Sequence, residues 1–427
     1  MNKTIKPSAS LCGVIEIPGD KSISHRALMM AAISEGESRI SNLLMGDDVK
    51  STWLCVSKMG TKIRKVGDDI LVTGTGSDGL QKSGDPLDAG NSGTTVRLIS
   101  GLLAALPFES IITGDASLQK RPMKRVVEPL TQMGAVIETT DDGYLPMTIH
   151  GGQLKPISYR SPIPSAQVKS CILLAGLNAH GVTSIVEPAR SRDHTERMLK
   201  CFGAETVIKG LEISVKGPVT LRGCEIFVPG DISSAAFFIV AALLVENSEL
   251  LIKKVGVNPT RTGLLDVLKQ MGAEIQFVNA RTVNEEPVCD LKITSGPLKA
   301  VNVGGELIPK LIDEIPLLAI AAARAQGTTI ISDAAELRVK ESDRIETVAV
   351  NLKKMGIQLQ IKEDGFIIPG PQKLKGAVLD SYGDHRIAMA FSIAALLADG
   401  ETTIRNTECA DISFPGFFRV IDRISNG

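Results

Sequence analysis

The chain has 427 residues, of which 43% are hydrophobic and 22% are charged, and its formal net charge is −1. This length allows two or more domains with their own cores, and the composition is that of an ordinary globular protein. A charge balance so close to neutral argues against nucleic acids and membrane surfaces as partners. Aromatic residues make up only 4% of the chain, which argues against stacking platforms for bases or sugars.

Cysteine usage and the N-terminus indicate the compartment. The start, MNKTIKPSAS, lacks the apolar core of a signal peptide, and no apolar run is long enough to span a membrane. The seven cysteines are spread along the chain, without a CxxC pair or metal-ligand spacing to a histidine. We therefore expect a cytoplasmic protein with reduced cysteines and no zinc site.

The first helix pattern follows a polar turn. Residues 17–32 read IPGDKSISHRALMMAA, in which Lys21, Ser22, His25 and Arg26 precede an almost entirely apolar run. One interpretation is a capped core helix with a solvated first turn. The other is an anion site, because the free N–H groups and the dipole at a helix start both favour negative charge.

The same arrangement recurs along the chain. Five further helix patterns are apolar nearly all round, which is typical of buried helices: GTTVRLISGLLAAL, SAQVKSCILLAGL, DISSAAFFIVAALL, IDEIPLLAIAAARA and DHRIAMAFSIAALL. A second set of helix patterns is amphipathic, and each ends at a glycine. These glycines are Gly60, Gly134, Gly203, Gly272 and Gly356, which are 74, 69, 69 and 84 residues apart, with Gly427 continuing the series. We predict that each ends its helix in the left-handed conformation.

This pattern predicts an α/β protein of six repeats. Each repeat contains a strand, a buried helix, a strand, an amphipathic helix and further strands, and the lack of polar capping repeats favours two compact domains over a solenoid. The sixth repeat runs out of chain, so we expect the N-terminal strands to complete it. The predicted domains, of three repeats each, are therefore 20–230, and 1–19 together with 231–427.

Cations lie at the predicted helix starts. If three repeats pack around one axis in each domain, the helix starts point at a common cleft, which is electropositive without net charge on the protein. The cations are Lys21, Arg26, Arg97, Lys169 and Arg386 at the buried helices, and Arg121, Arg192, Lys340 and Arg344 at the amphipathic ones. We therefore expect a substrate that carries several negative charges.

Two carboxylates lie among these cations. Asp313 heads the apolar helix IDEIPLLAI, where a carboxylate is usually a cap. Glu341 lies beside Lys340 with Arg344 one turn on, where an ion pair is the common role. If both face the cleft, the pair can instead serve as general base and general acid.

Other polar motifs have structural interpretations. His25 and His194 are expected to make structural hydrogen bonds, and the DHR of residues 384–386 is expected to form a network that orients Arg386. GTGSDG at 74–79 matches GxGxxG, but no helix pattern follows it, so it does not indicate a dinucleotide site. GDKS lacks the glycine spacing of a phosphate loop, which argues against a kinase.

Seven motifs together resemble one family. PGDKSISHRA, AGNSGTTVR, LQKRPM, PSAQVKS, IDEIP, LRVKESDR and YGDHRIAMAFS are similar, in this order, to the signatures of the 5-enolpyruvylshikimate-3-phosphate synthase family. The resemblance implies two domains of three αβ units, the inside-out α/β barrel of enolpyruvyl transferases, with the active site in the interdomain cleft. It also implies transfer of the enolpyruvyl group of phosphoenolpyruvate to the 5-hydroxyl of shikimate 3-phosphate. Phosphate is released in this step of aromatic amino acid biosynthesis, and no metal or other cofactor is implied.

The resemblance assigns site residues motif by motif. It implies contacts to shikimate 3-phosphate for Lys21, Ser22, Arg26, Ser165, Ala166, Gln167, Arg192, Asp313 and Lys340. It implies contacts to phosphoenolpyruvate for Lys21, Gly93, Arg121, Gln167, Arg344 and Arg386. Asp313 is placed at the 5-hydroxyl, Glu341 is the implied proton donor to the methylene carbon, and Lys21 is counted with the catalytic groups because it touches both substrates.

The motifs SISHRA, SAQVKS and RDHTE resemble the second of the family's two sequence classes. Ile412 stands where many relatives carry a lysine that helps to hold phosphoenolpyruvate, so the cationic cage is expected to be completed differently. Two alternatives stay open. One is an enolpyruvyl transferase that acts on UDP-N-acetylglucosamine, although the loop GDASLQKRPM lacks the cysteine that is usual in that enzyme. The other is a non-catalytic polyanion-binding protein. The expected partners are the two substrates and the inhibitor glyphosate, and we expect a monomer.

Overall fold

A computed structural model of the chain describes residues 1–425, and these divide into two compact units. The N-terminal unit comprises Gly19–Val228 and Thr282–Glu286. The C-terminal unit comprises Met1–Pro18, Pro229–Arg281 and the chain from Pro287 onward. The domain boundaries predicted from the sequence fall close to two of these divisions, but the sequence did not indicate that residues 282–286 group with the N-terminal unit.

The N-terminal unit contains three repeats of one pattern. In each repeat a leading strand, a buried helix, a central strand and an amphipathic helix precede a hairpin. The elements are α1 Lys21–Ala32, β3 Ser34–Ser41, α2 Asp47–Lys58, β4 Lys62–Val66 and β5 Asp69–Thr75; β6 Leu87–Asp88, α3 Gly93–Leu103, β7 Glu109–Thr113, α4 Lys124–Gln132, β8 Val136–Thr140 and β9 Tyr144–His150; β10 Ser158–Arg160, α5 Ala166–Gly176, β11 Gly181–Val186, α6 His194–Cys201, β12 Thr206–Lys209, β13 Glu212–Gly217, β14 Leu221–Arg222 and β15 Glu225–Phe227.

The C-terminal unit repeats the pattern. Its elements are β1 Lys3–Ile5, β2 Cys12–Glu16, α7 Ile232–Leu244, β16 Glu249–Gly256, α8 Gly263–Gln270, β17 Glu274–Val283 and β18 Glu286–Thr294; β19 Asn302–Val303, α9 Ile308–Leu311, α10 Ile315–Arg324, β20 Gly327–Ile331, α11 Arg344–Lys354, β21 Gln360–Lys362 and β22 Gly365–Gly370; β23 Val378–Asp380, α12 His385–Leu396, β24 Thr402–Arg405 and α13 Phe417–Ser425. The predicted α/β class with repeated αβ units is confirmed.

Each repeat builds one small mixed sheet. The leading strand pairs in parallel with the central strand, and the central strand pairs antiparallel with the last strand of the repeat, as in the order β6-β7-β9-β8. Three sheets take strands from a distant part of the chain. β1 pairs antiparallel with β24 and so completes the sixth repeat as expected, whereas β2 pairs with β16 and leads the fourth. β14 and β15 lead the first repeat by pairing with β3.

The amphipathic helices end as predicted. Helices α2, α4, α6, α8 and α11 are each followed, two residues after their last residue, by a glycine with φ between +85° and +102°. These glycines are Gly60, Gly134, Gly203, Gly272 and Gly356. Only glycine adopts this backbone conformation without steric cost, so the regular spacing of the motif reflects a regular helix end. The sixth position, Gly427, lies outside the described residues.

The apolar helices form the cores. Helices α1, α3, α5, α7, α10 and α12 are buried almost along their whole length, as expected from their sequences. Each unit has its own hydrophobic cluster. None of the described helices is long and apolar enough to cross a membrane.

Helices α3 and α5 approach so closely that only glycine fits at the contact. A Cβ on Gly101 in α3 would lie 2.2 Å from the backbone oxygen of Cys171 in α5. We expect Gly101→Ala to lower the free energy of unfolding by about 2 kcal/mol, because the helices must separate and this outweighs the better helix propensity of alanine. Gly152→Ala, where a Cβ meets nothing within 4 Å, is the control. Equal urea midpoints for the two variants would contradict the prediction.

Candidate active site

The three buried helices of the N-terminal unit begin at side-chain caps. Asp20 accepts a hydrogen bond from the N–H of Ile23 at the start of α1. Ser92 caps α3 and Ser165 caps α5 in the same way. Since each cap satisfies only part of the free N–H groups of the first turn, the remaining groups and the dipole still favour an anion there.

The first two turns of α1 hold three predicted site residues, Lys21, Ser22 and Arg26. Lys21 Nζ lies 3.0 Å from Asp48 Oδ2. Arg26 is buried and donates to the Ser22 carbonyl oxygen at 2.8 Å, to Thr195 Oγ1 at 2.7 Å and to Ser170 Oγ at 2.7 Å. These three acceptors hold the guanidinium group in place near the start of α1.

The starts of α3 and α5 are joined by Gln167. Its side-chain oxygen accepts from Arg97 NH1 at 2.8 Å, and its nitrogen donates to Thr94 Oγ1 at 3.1 Å. At the start of α3, a Cβ on Gly93 would lie 3.0 Å from Arg97 NH1 and 3.7 Å from Arg121 NH1. The φ of Gly93 is not in the left-handed region, so its missing side chain matters for the space beside two guanidinium groups rather than for the turn.

Lys169 does not join the cations of the helix starts, which corrects the prediction that it contributes to an anion site. It is 1% exposed, and its Nζ lies 2.9 Å from both Glu187 Oε2 and Glu196 Oε1. Burial raises the pKa of Glu196 although Lys169 opposes this. The lysine forms ion pairs with two buried carboxyl groups, and it links α5 to the segment that carries Ser191 and Arg192.

His25 has a structural role, as predicted. Its Nδ1 lies 2.6 Å from Thr52 Oγ1. The Thr95 hydroxyl oxygen lies 2.7 Å from that of Thr52 and 2.7 Å from that of Ser92. Burial lowers the pKa of His25 from 6.5 to about 3. The imidazole therefore stays neutral, and hydroxyl groups connect it through Thr52, in the middle of α2, to the start of α3.

This histidine predicts a pH dependence of stability. Below pH 6.5 the unfolded chain gains a proton on His25 that the folded chain accepts only near pH 3, so stability is lost as the pH falls through this window. One pKa unit corresponds to about 1.4 kcal/mol, so the contribution at pH 5 is about 2 kcal/mol. We expect urea unfolding of His25→Asn to show a shallower fall in stability between pH 6.5 and 5 than that of the wild type. Parallel curves would contradict this.

The start of α6 carries the second structural histidine. His194 Nδ1 lies 2.7 Å from Glu286 Oε1, at the tip of the hairpin that β17 and β18 form. The same tip accepts a hydrogen bond from Arg197 through the Glu285 backbone oxygen. The structural hydrogen bond predicted for His194 is thus confirmed, with a partner 92 residues away that the sequence did not indicate. Arg192 lies in the segment just before this helix.

In the C-terminal unit, Asp313 lies among cations and does not cap a helix. Helix α10 begins at Ile315, and Asp313 lies in the 3-10 turn before it. Its carboxylate is 3.3 Å from Arg344 NH1, 3.9 Å from Lys340 Nζ and 4.0 Å from Arg386 NH2. A helix cap does not need three cations around its carboxylate. A cluster of cations is instead the arrangement that binding of a polyanionic substrate requires.

Arg344 is the first residue of α11 and is almost fully buried. Its Nε and NH2 donate to the two oxygens of Asp384 at 2.8 and 3.2 Å. NH2 also donates to Glu341 Oε2 at 2.6 Å, and NH1 donates to Asp313 Oδ1. Burial by itself lowers the pKa of Arg344, but the carboxylates of Asp384, Glu341 and Asp313 raise it above its ordinary value.

The DHR motif works differently from the prediction. The Asp384 carboxylate caps α12 by accepting from the backbone N–H of Arg386, but its ion pair is with Arg344 rather than with the Arg386 side chain. Burial by itself raises the pKa of Asp384, but Arg344 and His385 lower this pKa by more, so its net shift is downward. Asp384 thus contacts the backbone of Arg386, whereas the Arg386 side chain lies near Asp313 and Glu314, so these carboxylates contribute to its position together with the motif.

A residue that the sequence analysis missed holds Arg386. Glu314 is buried, its Oε1 lies 3.4 Å from Arg386 NH1, and it accepts a hydrogen bond from Ser233 Oγ. Arg261 donates to that hydroxyl at 2.7 Å and to Asp231 at 3.1 Å. Glu314 directly follows Asp313 in IDEIP, and PGDISS, which repeats the start of PGDKSIS, marks the helix start that carries its partner Ser233.

Within each unit, predicted site residues thus lie at neighbouring helix starts. In the N-terminal unit these are Lys21, Ser22, Arg26, Gly93, Arg121, Ser165, Ala166 and Gln167, with Arg192 just before α6. In the C-terminal unit they are Asp313, Lys340, Glu341, Arg344 and Arg386. Lys340 pairs with Asp313 and Glu336. Ile412, which stands where many relatives carry a lysine, is the last residue of a 3-10 helix. Among residues 1–425 no group of three or more His, Cys, Asp or Glu side chains could hold a metal ion.

Known proteins share this sequence and fold. The family model for EPSP synthase (3-phosphoshikimate 1-carboxyvinyltransferase) matches residues 5–421. The 3-phosphoshikimate 1-carboxyvinyltransferase of Brevibacillus brevis is 52% identical over 422 residues, which cover 99% of each chain. The structure of EPSP synthase from Acinetobacter baumannii superposes with a TM-score of 0.91 at 46% identity, covering 99% of this chain and 98% of that one. The enolpyruvyl transferase NikO from Streptomyces tendae, at 20% identity and a TM-score of 0.82 over 99% of this chain and 96% of its own, shares the fold. The chain belongs to the EPSP synthase family.

Proposed function

We propose that this chain transfers the enolpyruvyl group of phosphoenolpyruvate to the 5-hydroxyl of shikimate 3-phosphate and releases phosphate. The observation that carries the proposal is the set of acidic and basic groups around Asp313 and Glu341. Both carboxylates contact Arg344, and Asp313 also has Lys340 and Arg386 within 4.0 Å. Membership of the family gives the reaction, and this arrangement supports the proposed roles of Asp313 and Glu341 in it.

The proposed contacts to shikimate 3-phosphate lie at helix starts and around Asp313. They are Lys21, Ser22, Arg26, Ser165, Ala166, Gln167, Arg192, Asp313 and Lys340. Several of these positions suit a sugar-like phosphate: a capped helix start offers N–H groups to phosphate oxygens, and Arg26 is held in place by its acceptors. Hydroxyl and amide groups such as Gln167 can orient the ring hydroxyls.

The proposed contacts to phosphoenolpyruvate use guanidinium groups. They are Lys21, Gly93, Arg121, Gln167, Arg344 and Arg386. Planar guanidinium groups bind carboxylate and phosphate through two parallel hydrogen bonds, which suits a substrate with both groups. A Cβ on Gly93 would lie 3.0 Å from Arg97 NH1 and 3.7 Å from Arg121 NH1, so the absence of a side chain there supports placing such an anion beside these guanidinium groups.

The proposed chemistry requires two proton transfers. The 5-hydroxyl oxygen attacks C2 of phosphoenolpyruvate while Asp313 takes the hydroxyl proton and Glu341 gives a proton to the methylene carbon, which forms a tetrahedral intermediate. The methyl group then returns a proton to Glu341, the C–O bond to phosphate breaks, and the proton held by Asp313 leaves with the phosphate, so that the enolpyruvyl ether remains. Lys21, whose ammonium group lies near Asp48, is proposed to neutralise charge on both substrates.

Phosphate release tests the proposal. The purified chain is mixed with phosphoenolpyruvate and, in parallel, with shikimate 3-phosphate, UDP-N-acetylglucosamine or no acceptor. We expect phosphate release, with formation of the enolpyruvyl ether detected by mass spectrometry, only with shikimate 3-phosphate. Release with the nucleotide sugar alone would assign the other transferase activity. Binding of both substrates without release would favour a non-catalytic polyanion-binding protein.

Gly93 provides a prediction about inhibitor selectivity, which assumes that glyphosate occupies the phosphoenolpyruvate site. An added methyl group would lie 3.0 Å from Arg97 NH1, so it would intrude on the space beside the guanidinium groups. We expect Gly93→Ala to weaken glyphosate binding by about 10- to 200-fold. Binding of phosphoenolpyruvate should weaken less, because the inhibitor is the longer molecule. The inhibition constant and the KM for phosphoenolpyruvate are measured in both proteins. An equal change in the two constants would show that the methyl group does not distinguish the ligands.

A further inference from the structure

The guanidinium group of Arg344 has two edges, and both are occupied. Along the Nε–NH2 edge it binds both oxygens of Asp384 at 2.8 and 3.2 Å, which is a bidentate pair. At the NH1–NH2 end it receives one oxygen from each of two other carboxylates, Asp313 Oδ1 on NH1 at 3.3 Å and Glu341 Oε2 on NH2 at 2.6 Å. Two oxygens at this end are what a single bidentate carboxylate or phosphate would supply.

The two edges differ in how freely their carboxylates can move. Asp384 is fully buried, caps α12 and accepts a hydrogen bond from Ser342. Glu341 and Asp313 are 27% and 17% exposed, and Glu341 lies in the irregular segment before α11. Asp384 is therefore the permanent partner of Arg344, whereas the other two can be replaced by an incoming anion.

Replacement changes the surroundings of both displaced carboxylates. Asp313 keeps Lys340 and Arg386 within 4.0 Å. Glu341 loses its 2.6 Å bond to Arg344 and gains the anion as a neighbour. Losing a cationic partner and gaining a negative charge both favour the protonated form of a carboxyl group.

We propose that Glu341 and Asp313 together occupy the anion position of Arg344 in the substrate-free protein, and that phosphoenolpyruvate displaces Glu341, which then takes up one proton from the solvent. The inference rests on the proposed function. It explains how a carboxylate that is paired with arginine at rest becomes the acid that protonates the methylene carbon. When the products leave, Glu341 returns to Arg344 and releases the proton.

The charged groups around Glu341 set this balance. Arg344 of α11 and Lys340 of its own segment favour the ionised form, whereas Asp313 before α10 and Asp384 at the start of α12 favour the protonated form. His385 and Arg386, on the first turn of α12, act on the same cluster. Because bound phosphoenolpyruvate covers the Arg344 edge and adds negative charge, the balance shifts towards the protonated form.

Calorimetry can count the proton. Phosphoenolpyruvate is titrated at pH 8, where its phosphate is already fully ionised, into the protein saturated with 5-deoxyshikimate 3-phosphate, which lacks the reacting hydroxyl. The titration is repeated in buffers of different ionisation enthalpy, and the slope of the observed enthalpy gives the number of protons taken up. We expect an uptake close to one proton for the wild type and close to zero for Glu341→Gln. We also expect Glu341→Gln to bind phosphoenolpyruvate about 3- to 10-fold more tightly, because the competing charge is gone.

Glu336→Gln is the matched control. Glu336 is a carboxylate of the same segment that pairs with Lys340 at 3.6 Å, and it does not contact Arg344. This variant should take up as many protons as the wild type. Binding without proton uptake in the wild type, or uptake that persists in Glu341→Gln, would overturn the inference and leave the proposed function standing. A wild type that does not bind phosphoenolpyruvate would instead contradict the proposed function itself.

Discussion

Replacing Asp313 by asparagine is expected to lower turnover by about 100-fold or more, while the affinities for both substrates change by only a few-fold. The amide has nearly the shape of the carboxylate but cannot take a proton from the 5-hydroxyl. Since helix α10 begins at Ile315 and Asp313 is not its cap, the variant should keep its stability. Loss of one negative charge among Lys340, Arg344 and Arg386 leaves the cations free to hold the substrates.

Steady-state kinetics with each substrate varied, together with urea unfolding, check this expectation. The control is Glu336→Gln, which removes another carboxylate paired with Lys340 and should change turnover little. Near-normal turnover of Asp313→Asn would show that the carboxylate only balances the charge of its neighbours. A large loss of stability would show that it has a structural role.

Replacing Lys169 by methionine is expected to lower the free energy of unfolding by about 3–5 kcal/mol. The methionine fits the apolar part of the space, but Glu187 and Glu196 would be left buried and close together without their shared cation. Breaking a buried pair by removing one partner is costly, because the remaining charges cannot be solvated. The same substitution should also loosen the segment before α6, which carries Arg192.

Two further variants make this test specific. Lys169→Met combined with Glu196→Gln should recover part of the lost stability, since one uncompensated charge is gone. Lys200→Met, which removes an exposed lysine paired with Glu285, should cost less than about 1 kcal/mol. If Lys169→Met kept its stability and lost only affinity for shikimate 3-phosphate, the lysine would be a substrate contact and its assignment as a structural ion pair would be wrong.

The amino-acid sequence by itself determined the features that depend on neighbouring residues. The glycine after each amphipathic helix, such as Gly134 with φ +102°, is visible because a left-handed helix end requires that residue. The buried helices are visible because their apolar character needs no knowledge of their partners. The family motifs also belong to this class, since each is a continuous stretch at one helix start.

Only the tertiary structure decided which charges meet. Lys169 looks like any other cation at a helix start, and it is removed from that set by Glu187 and Glu196, which lie further along the chain. Asp384 is two residues from Arg386 but is paired with Arg344, forty residues away. An ion pair depends on distance in space and on shared burial, and the packing of helices from different repeats sets both, which no local pattern of residues encodes.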